Sequence, residues 1–152
     1  MKKCIFCQIA KGRRPCFKIY EDKNYLAFLD INYFTPGHTQ VITKKHYRWV
    51  WDVPQTGEFF KVAAKIARHY QKFFKNSWVA SIVWGKMVEH AHIQILPAPK
   101  GTDLVWKRNK LTKAKGRMLA KKLSLEQSSS EAKEPSPISA GQNRSKHKQP
   151  CR

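Results

Sequence analysis

Val88-Glu89-His90-Ala91-His92-Ile93-Gln94-Ile95-Leu96-Pro97 is the stretch of this 152-residue chain on which its fold and chemistry turn. In an extended strand, residues two apart share a face, so His90, His92 and Gln94 project together while Ala91, Ile93 and Ile95 project into the opposite layer. One wall of the strand therefore carries hydrogen-bonding groups and the other carries hydrocarbon. Pro97 and Pro99 stop the strand. Alone, the pattern admits histidines satisfied within a core, a small surface metal site, or a reactive wall.

Outward from this segment the chain reads as short strands around one long helix. Phe17-Lys18-Ile19-Tyr20 and Tyr25-Leu26-Ala27-Phe28-Leu29 flank the turn chemistry of Glu21-Asp22-Lys23-Asn24 and predict an antiparallel hairpin. After Asp30 and the turn Thr35-Pro36-Gly37-His38, the stretch Thr39-Gln40-Val41-Ile42-Thr43 predicts a third strand. Over residues 55–74, Phe59, Val62, Ala63, Ile66, Ala67, Tyr70, Phe73 and Phe74 recur at spacings of three and four, which predicts the main helix, capped near Thr56. Residues 78–84, stopped by Gly85, and 89–96 supply the last two strands. Near the N-terminus, residues 9–15 read as a short apolar helical turn entering a Gly and Pro loop, which gathers Ile5, Phe6 and Ile9. About five strands, one long helix and a short N-terminal helix indicate an α+β fold with an antiparallel sheet, not a parallel βαβ array.

The 30 Lys and Arg outnumber the 10 Asp and Glu, giving a formal net charge of +20 that favours polyanionic partners. Composition shifts near Lys100: residues 101–152 hold thirteen Lys and Arg against four acids, and apolar residues concentrate before Pro99. We expect a folded domain over 1–100 and a disordered basic tail over 127–152. Between them, over 101–126, we expect a basic extension in which Leu104, Val105, Leu111, Met118, Leu119, Leu123 and Leu125 form one amphipathic helix interrupted by Gly116. The tail reads either as a solvated charged surface or as a segment with nonspecific RNA or DNA affinity. No window approaches the ~18 apolar residues of a membrane span, and Met1-Lys2-Lys3 precedes no signal-like apolar run, so a soluble, cytoplasmic protein is expected. In that reducing compartment the four cysteines read as thiols or metal ligands, with Cys4 and Cys7 in a Cys-x-x-Cys pair and Cys16 and Cys151 at no telling spacing.

Taken together, residues 4–97 resemble the histidine-triad (HIT) superfamily. The resemblance is carried by Cys4-Ile-Phe-Cys7 with Ile9, Ile19-Tyr20-Glu21-Asp22, Leu26-Ala27-Phe28-Leu29-Asp30-Ile31, Pro36-Gly37-His38-Thr39, Val41-Ile42, Lys44-Lys45-His46 and His90-Ala-His92-Ile-Gln94-Ile-Leu-Pro97, in that order. It implies a HIT-like fold, a homodimer, and a nucleotide substrate such as a purine dinucleoside polyphosphate or nucleoside phosphoramidate. By position His92 is the nucleophile toward the α-phosphorus, forming a covalent nucleotidyl-imidazole, and His38 and Gln94 are the neighbours that donate to phosphoryl oxygens.

The same resemblance places Asp30 on the ribose hydroxyls and Ile5, Phe6, Ile9, Phe28 and Ile31 around the base, although each apolar residue serves equally as ordinary core. It makes Cys4, Cys7, His46 and His90 a structural zinc site. Two departures matter. Gln94 stands where most hydrolase members carry histidine, a substitution characteristic of the nucleotidyl transferase and dinucleoside-polyphosphate phosphorylase branches; its amide can donate to phosphate but cannot protonate a leaving group. Gly85-Lys86-Met87-Val88-Glu89 replaces the Gly, Gln and Ser-bearing loop of many relatives, with Lys86 as the substitute phosphate contact. The competing class is a nucleotide- or RNA-binding module without turnover.

Overall fold

The three inner strands of the main sheet are buried at every residue, because both faces of the sheet are covered. The computed structural model describes residues 4–76, 78–98 and 106–125. In chain order its elements are α1 (Ile5–Ala10), β1 (Lys18–Glu21), β2 (Tyr25–Leu29), β3 (Asn32–Tyr33), β4 (Thr39–Thr43), a 3-10 turn (Val50–Asp52), α2 (Thr56–Phe74), β5 (Val79–Ile82), β6 (His92–Pro97), β7 (Asn109–Lys110) and α3 (Lys113–Leu123). The main sheet is five-stranded and antiparallel, in the order β1-β2-β4-β6-β5. This is the α+β architecture that the strand and helix pattern indicates.

Alternation divides the sheet into two layers. Ala27, Leu29, Val41, Ile93 and Ile95 join Phe59, Val62, Ala63, Ile66 and Tyr70 of α2 in the larger core, whereas Leu26, Phe28 and Ile42 join Phe6 of α1 in a smaller cluster on the opposite face. The buried residues of α2 recur at helical spacing, so a single stripe meets the sheet while Glu58, Lys61, Lys65 and Arg68 stay exposed.

Two local expectations need correction. Thr56 is not the cap of α2: Gln55 occupies that position without a side-chain capping bond, and the Thr56 hydroxyl instead donates to the Val53 carbonyl. The last two strands are shorter than 78–84 and 89–96. The chain turns through residues 88–91, with the His90 N–H on the Val88 carbonyl (2.8 Å) and the Ala91 N–H on the Tyr47 carbonyl (2.7 Å), so regular pairing starts only at His92.

Beyond residue 105 the described chain returns to the body. β7 pairs with β3, the Leu111 N–H bonds the Ile31 carbonyl, and the Leu125 N–H bonds the Ile19 carbonyl. Helix α3 runs through Gly116 without a break, and Ala120 and Leu123 lie in the same core as α2. A Cβ on Gly116 would stand 2.4 Å from the Phe17 ring, so the glycine admits a close helix–strand approach. The expected tail over 127–152 lies outside the described residues. Because Leu123 is fully buried, Leu123→Ala should lower the unfolding free energy by about 2–5 kcal/mol in a urea titration; an unchanged midpoint would mean that α3 does not close the core.

Candidate functional site

His92 and Gln94 share one face of β6 by period two, and the bend before the strand brings the His90 ring to the same side, where Phe6 lies. The Phe6 ring meets His90 edge-on at 5.8 Å and His92 at 5.3 Å. Phe28, Gln40, Gln94 and Ile82 form one cross-strand row on this face, since Phe28 and Gln94 each pair with Gln40 and Ile82 pairs with Gln94.

The hydrogen bonds set the state of each ring. His92 Nδ1 lies 2.6 Å from the His90 carbonyl, which can only accept, so Nδ1 carries the proton and Nε2 of the neutral ring keeps a free lone pair. His38 is fixed in the opposite sense. Its Nδ1 accepts the Phe34 N–H at 3.3 Å, which leaves Nε2–H to donate to Gln94 Oε1 at 3.1 Å. Gln94 thereby has its carbonyl committed and its amide N–H groups available to an acceptor. Burial holds the His38 pKa below its ordinary value, against the opposing influences of Asp30 and Gln94.

The loop that carries His38 is positioned by α2. Gly37 adopts φ +92, and a Cβ there would stand 3.0 Å from Pro97 and 3.1 Å from Phe74, so glycine is needed for both conformation and space. The Thr39 hydroxyl donates to the Gly37 carbonyl (2.9 Å) and therefore accepts from Tyr70 (2.6 Å), tying the loop to the helix. Asp30 sits at the other end. Its Oδ1 accepts the Asn32 N–H, its Oδ2 accepts Gln40 Nε2 at 2.8 Å and lies 3.9 Å from His38 Nε2, and the backbone N–H of Asp30 bonds the His38 carbonyl. Gln40 and Tyr70 were missed from sequence, although a glutamine inside a β-branched strand was the available signal for the first.

Of the residues expected around a base, Phe6 and Phe28 meet edge-on at 5.7 Å and Ile9 packs with them. Ile5 and Ile31 are exposed and outside that cluster. Lys86 is exposed on the turn after Gly85. His92 is only 4% exposed, and the three recesses described on the surface are not lined by it. In this conformation Phe6 covers the ring.

Cys4, Cys7, His46 and His90 form a second centre whose donor atoms all lie within 4.8 Å of one another. Cys4 Sγ is 3.4 Å from His90 Nδ1, Cys7 Sγ is 3.2 Å from His46 Nδ1, and the two Nδ1 atoms are 3.2 Å apart. Tetrahedral bonds of about 2.0–2.3 Å from one ion imply donor separations of about 3.3–3.8 Å, so the set can hold a metal. His90 is prepared for it: Nε2 donates to the Thr43 carbonyl at 2.8 Å, leaving Nδ1 as the ligand atom. Burial, with smaller contributions from His46 and His92, lowers His90 to about 4 against its bond to Thr43, so the ring is neutral at pH 7. Burial and the adjoining Cys4 push the Cys7 thiol up to about 11, a cost that a bound cation reverses.

An NMR titration should place the His38 midpoint below the ordinary ~6.5. Since the unfolded ring takes up a proton first, stability from this group is complete above ~6.5 and is lost as pH falls toward the folded midpoint. An unshifted midpoint would mean that the ring is solvated.

The family model described as the HIT domain matches residues 11–101. The chain is 37% identical over 114 residues to "Protein hit" of Bacillus subtilis, covering 68% of this chain and 79% of that protein. It is 36% identical over 99 residues to the adenosine 5'-monophosphoramidase HNT1 of Saccharomyces cerevisiae, covering 62% and 61%. Among solved structures, a Hit-like protein from Bartonella henselae superposes with a TM-score of 0.73 at 28% identity, covering 81% of this chain and 95% of that one. A Zn-bound histidine triad family protein from Mycobacterium smegmatis gives a TM-score of 0.62 at 30% identity, covering 80% and 93%.

Proposed function

Because the chain belongs to the HIT family, we propose that it is a nucleotide hydrolase or nucleotidyl transferase in which His92 attacks the α-phosphorus of a nucleoside phosphate derivative. The observation that carries this reading is the bond from His92 Nδ1 to the His90 carbonyl, which fixes the Nδ1–H tautomer of the neutral ring, so that its lone pair lies at Nε2. His92 Nε2 bonds to phosphorus as the bond to the leaving group breaks, and water or another acceptor then displaces the imidazole. The Gln94 amide, relieved of its carbonyl by His38, donates to a phosphoryl oxygen, and Lys86 adds positive charge. Asp30 takes the ribose hydroxyls; Phe6, Phe28 and Ile9, with Ile5 and Ile31 at the rim, enclose a purine base. The yeast relative's phosphoramidase activity supports a phosphoramidate as one substrate.

Cys4, Cys7, His46 and His90 hold a structural zinc, a reading supported by their donor spacing and the Zn-bound relative. The zinc ties α1 to the start of β6. A homodimer belongs to the same proposal, with the exposed Phe60, Phe73 and Trp78 as available apolar surface. The excess positive charge supports weak nucleic-acid affinity through the tail, and none of the described helices is long and apolar enough to cross a membrane.

The burial of His92 favours a second reading, a nucleotide-binding module without turnover, because Phe6 has to move off the ring before a phosphate can reach it. Mass spectrometry of quenched reactions with an adenosine phosphoramidate separates the two: the enzyme carries a nucleoside monophosphate adduct on His92, and His92→Ala loses both the adduct and at least ~10³-fold of the rate. Undiminished turnover by His92→Ala excludes the histidine from the chemistry. Metal analysis should find one zinc per chain, with Cys7→Ser reducing it below half and lowering the melting temperature by several degrees; full-length protein purified without zinc but with an unaltered melting temperature on zinc addition would remove the metal assignment.

A further inference from the structure

Between residues 106 and 125 the chain carries eight Lys and Arg and not one acidic residue. All eight are exposed, and among the described residues none of them stands in an ion pair. Several cations elsewhere on the body do find carboxylates: Lys18 and Lys44 meet Glu21, Arg48 meets Glu89, and Lys61 meets Glu58. Solubility is served by mixed signs, whereas a field of one sign draws in a polyanion.

The fold gives this charge a fixed shape. Gly116, Ala120 and Leu123 turn one stripe of α3 into the body, and the N–H groups of Leu111 and Leu125 tie the segment at both ends to Ile31 and Ile19. Away from that stripe, Lys113, Arg117 and Lys121 recur every four residues and form a ridge of cations at steps of about 6 Å along the helix. Cations held on a docked helix are placed before any partner arrives, which lowers the ordering cost of binding. The same segment opens on an aromatic surface. Trp106 is 61% exposed and meets Phe34 edge-on at 5.4 Å, and the Arg108 guanidinium lies 5.1 Å from the Phe34 ring centre.

These features choose among polyanions. A phosphodiester backbone matches a row of unpaired cations, and an exposed indole offers its face to a base. A duplex keeps its bases stacked within itself, so the indole selects an unpaired strand. RNA is the nucleic acid that presents unpaired bases in loops, bulges and ends, where aromatic and guanidinium planes stack on them. An anionic membrane asks for a broad apolar face beside the cations, and α3 has turned Ala120 and Leu123 into the core. We propose that the segment from Trp106 through α3 is a binding surface for single-stranded RNA, with Lys113, Arg117 and Lys121 on phosphates and a base on Trp106. It rests on the nucleic-acid affinity proposed above, gives that affinity a seat on the folded body besides the tail, and requires nothing of His92.

Fluorescence anisotropy with the full-length protein tests it. The probes are a single-stranded RNA of about 20 nucleotides, DNA of the same sequence, and the corresponding DNA duplex, titrated between about 50 and 200 mM salt. One triple variant carries Lys113→Ala, Arg117→Ala and Lys121→Ala; a second, with the same loss of charge, carries Lys11→Ala, Arg13→Ala and Arg14→Ala in the loop after α1. The α3 variant should bind the RNA at least about tenfold more weakly, with a logarithmic salt slope shallower by about 2, from three contacts at about 0.7 each. The loop variant should keep the slope. Trp106→Ala should weaken RNA binding at least about fivefold at an unchanged slope and remove the preference for single strands over duplex, while Trp106→Phe retains both. An α3 variant with the wild-type slope overturns the proposal and leaves the tail reading in place, because every charge beyond residue 125 is intact in it. Equal losses in the two triple variants, or tighter binding of either DNA than of the RNA, also overturn it. So does wild-type protein that binds phosphatidylserine vesicles but not the RNA. A wild type that binds none of the nucleic acids removes both this surface and the tail reading.

Discussion

The backbone carbonyl of His90 is the hinge of this structure's chemistry. It holds the proton of His92 on Nδ1, and the side chain of the same residue, anchored through Nε2 to Thr43, turns its other nitrogen toward Cys4, Cys7 and His46. One residue thus couples two centres. The bend that brings its ring to the thiols is also what delays β6 until His92, so the metal-binding geometry and the strand boundary have a common cause.

A second constraint comes from the covering of the histidine wall. Cys4 and Cys7 flank Phe6 on the first helical segment, and Phe6 lies edge-on to both histidines and to Phe28. The thiols and the aromatic cover therefore lie within about one helical turn of each other. On the proposed function, a ligand would reach His92 only by displacing Phe6, a side chain that stands between two members of the four-donor cluster.

How much of this was legible in the sequence depends on how local the signal is. The sharing of a face by His92 and Gln94 needed only period two, and the stripe of α2 needed only period 3.6; both depend on neighbours within a few residues, whereas His90 reaches the same side through a bend that the alternation does not announce. The metal cluster was legible through the resemblance and not through spacing alone, because Cys7 and His46 are 39 residues apart yet 3.2 Å distant. The Tyr70–Thr39 bond and the Gln40–Asp30 bond join separate elements and have no periodic signature. Thr56 had the chemistry of a cap, but its hydroxyl found a carbonyl instead. Gly116 reads as an interruption because glycine is a poor helix former; the packed state overrides that weak preference with a contact to Phe17 that leaves no room for a side chain.

That close approach bears on how the protein can be divided. Phe17 and Ile19 belong to the segment that α3 covers, and Ile19 also receives the Leu125 N–H. Severing the polypeptide at the compositional break near residue 100 would strip this strand of its roof and bare a greasy edge to water. Any shortened version meant to isolate the charged tail has to be cut after Leu125, so that the clasp remains with the body it fastens.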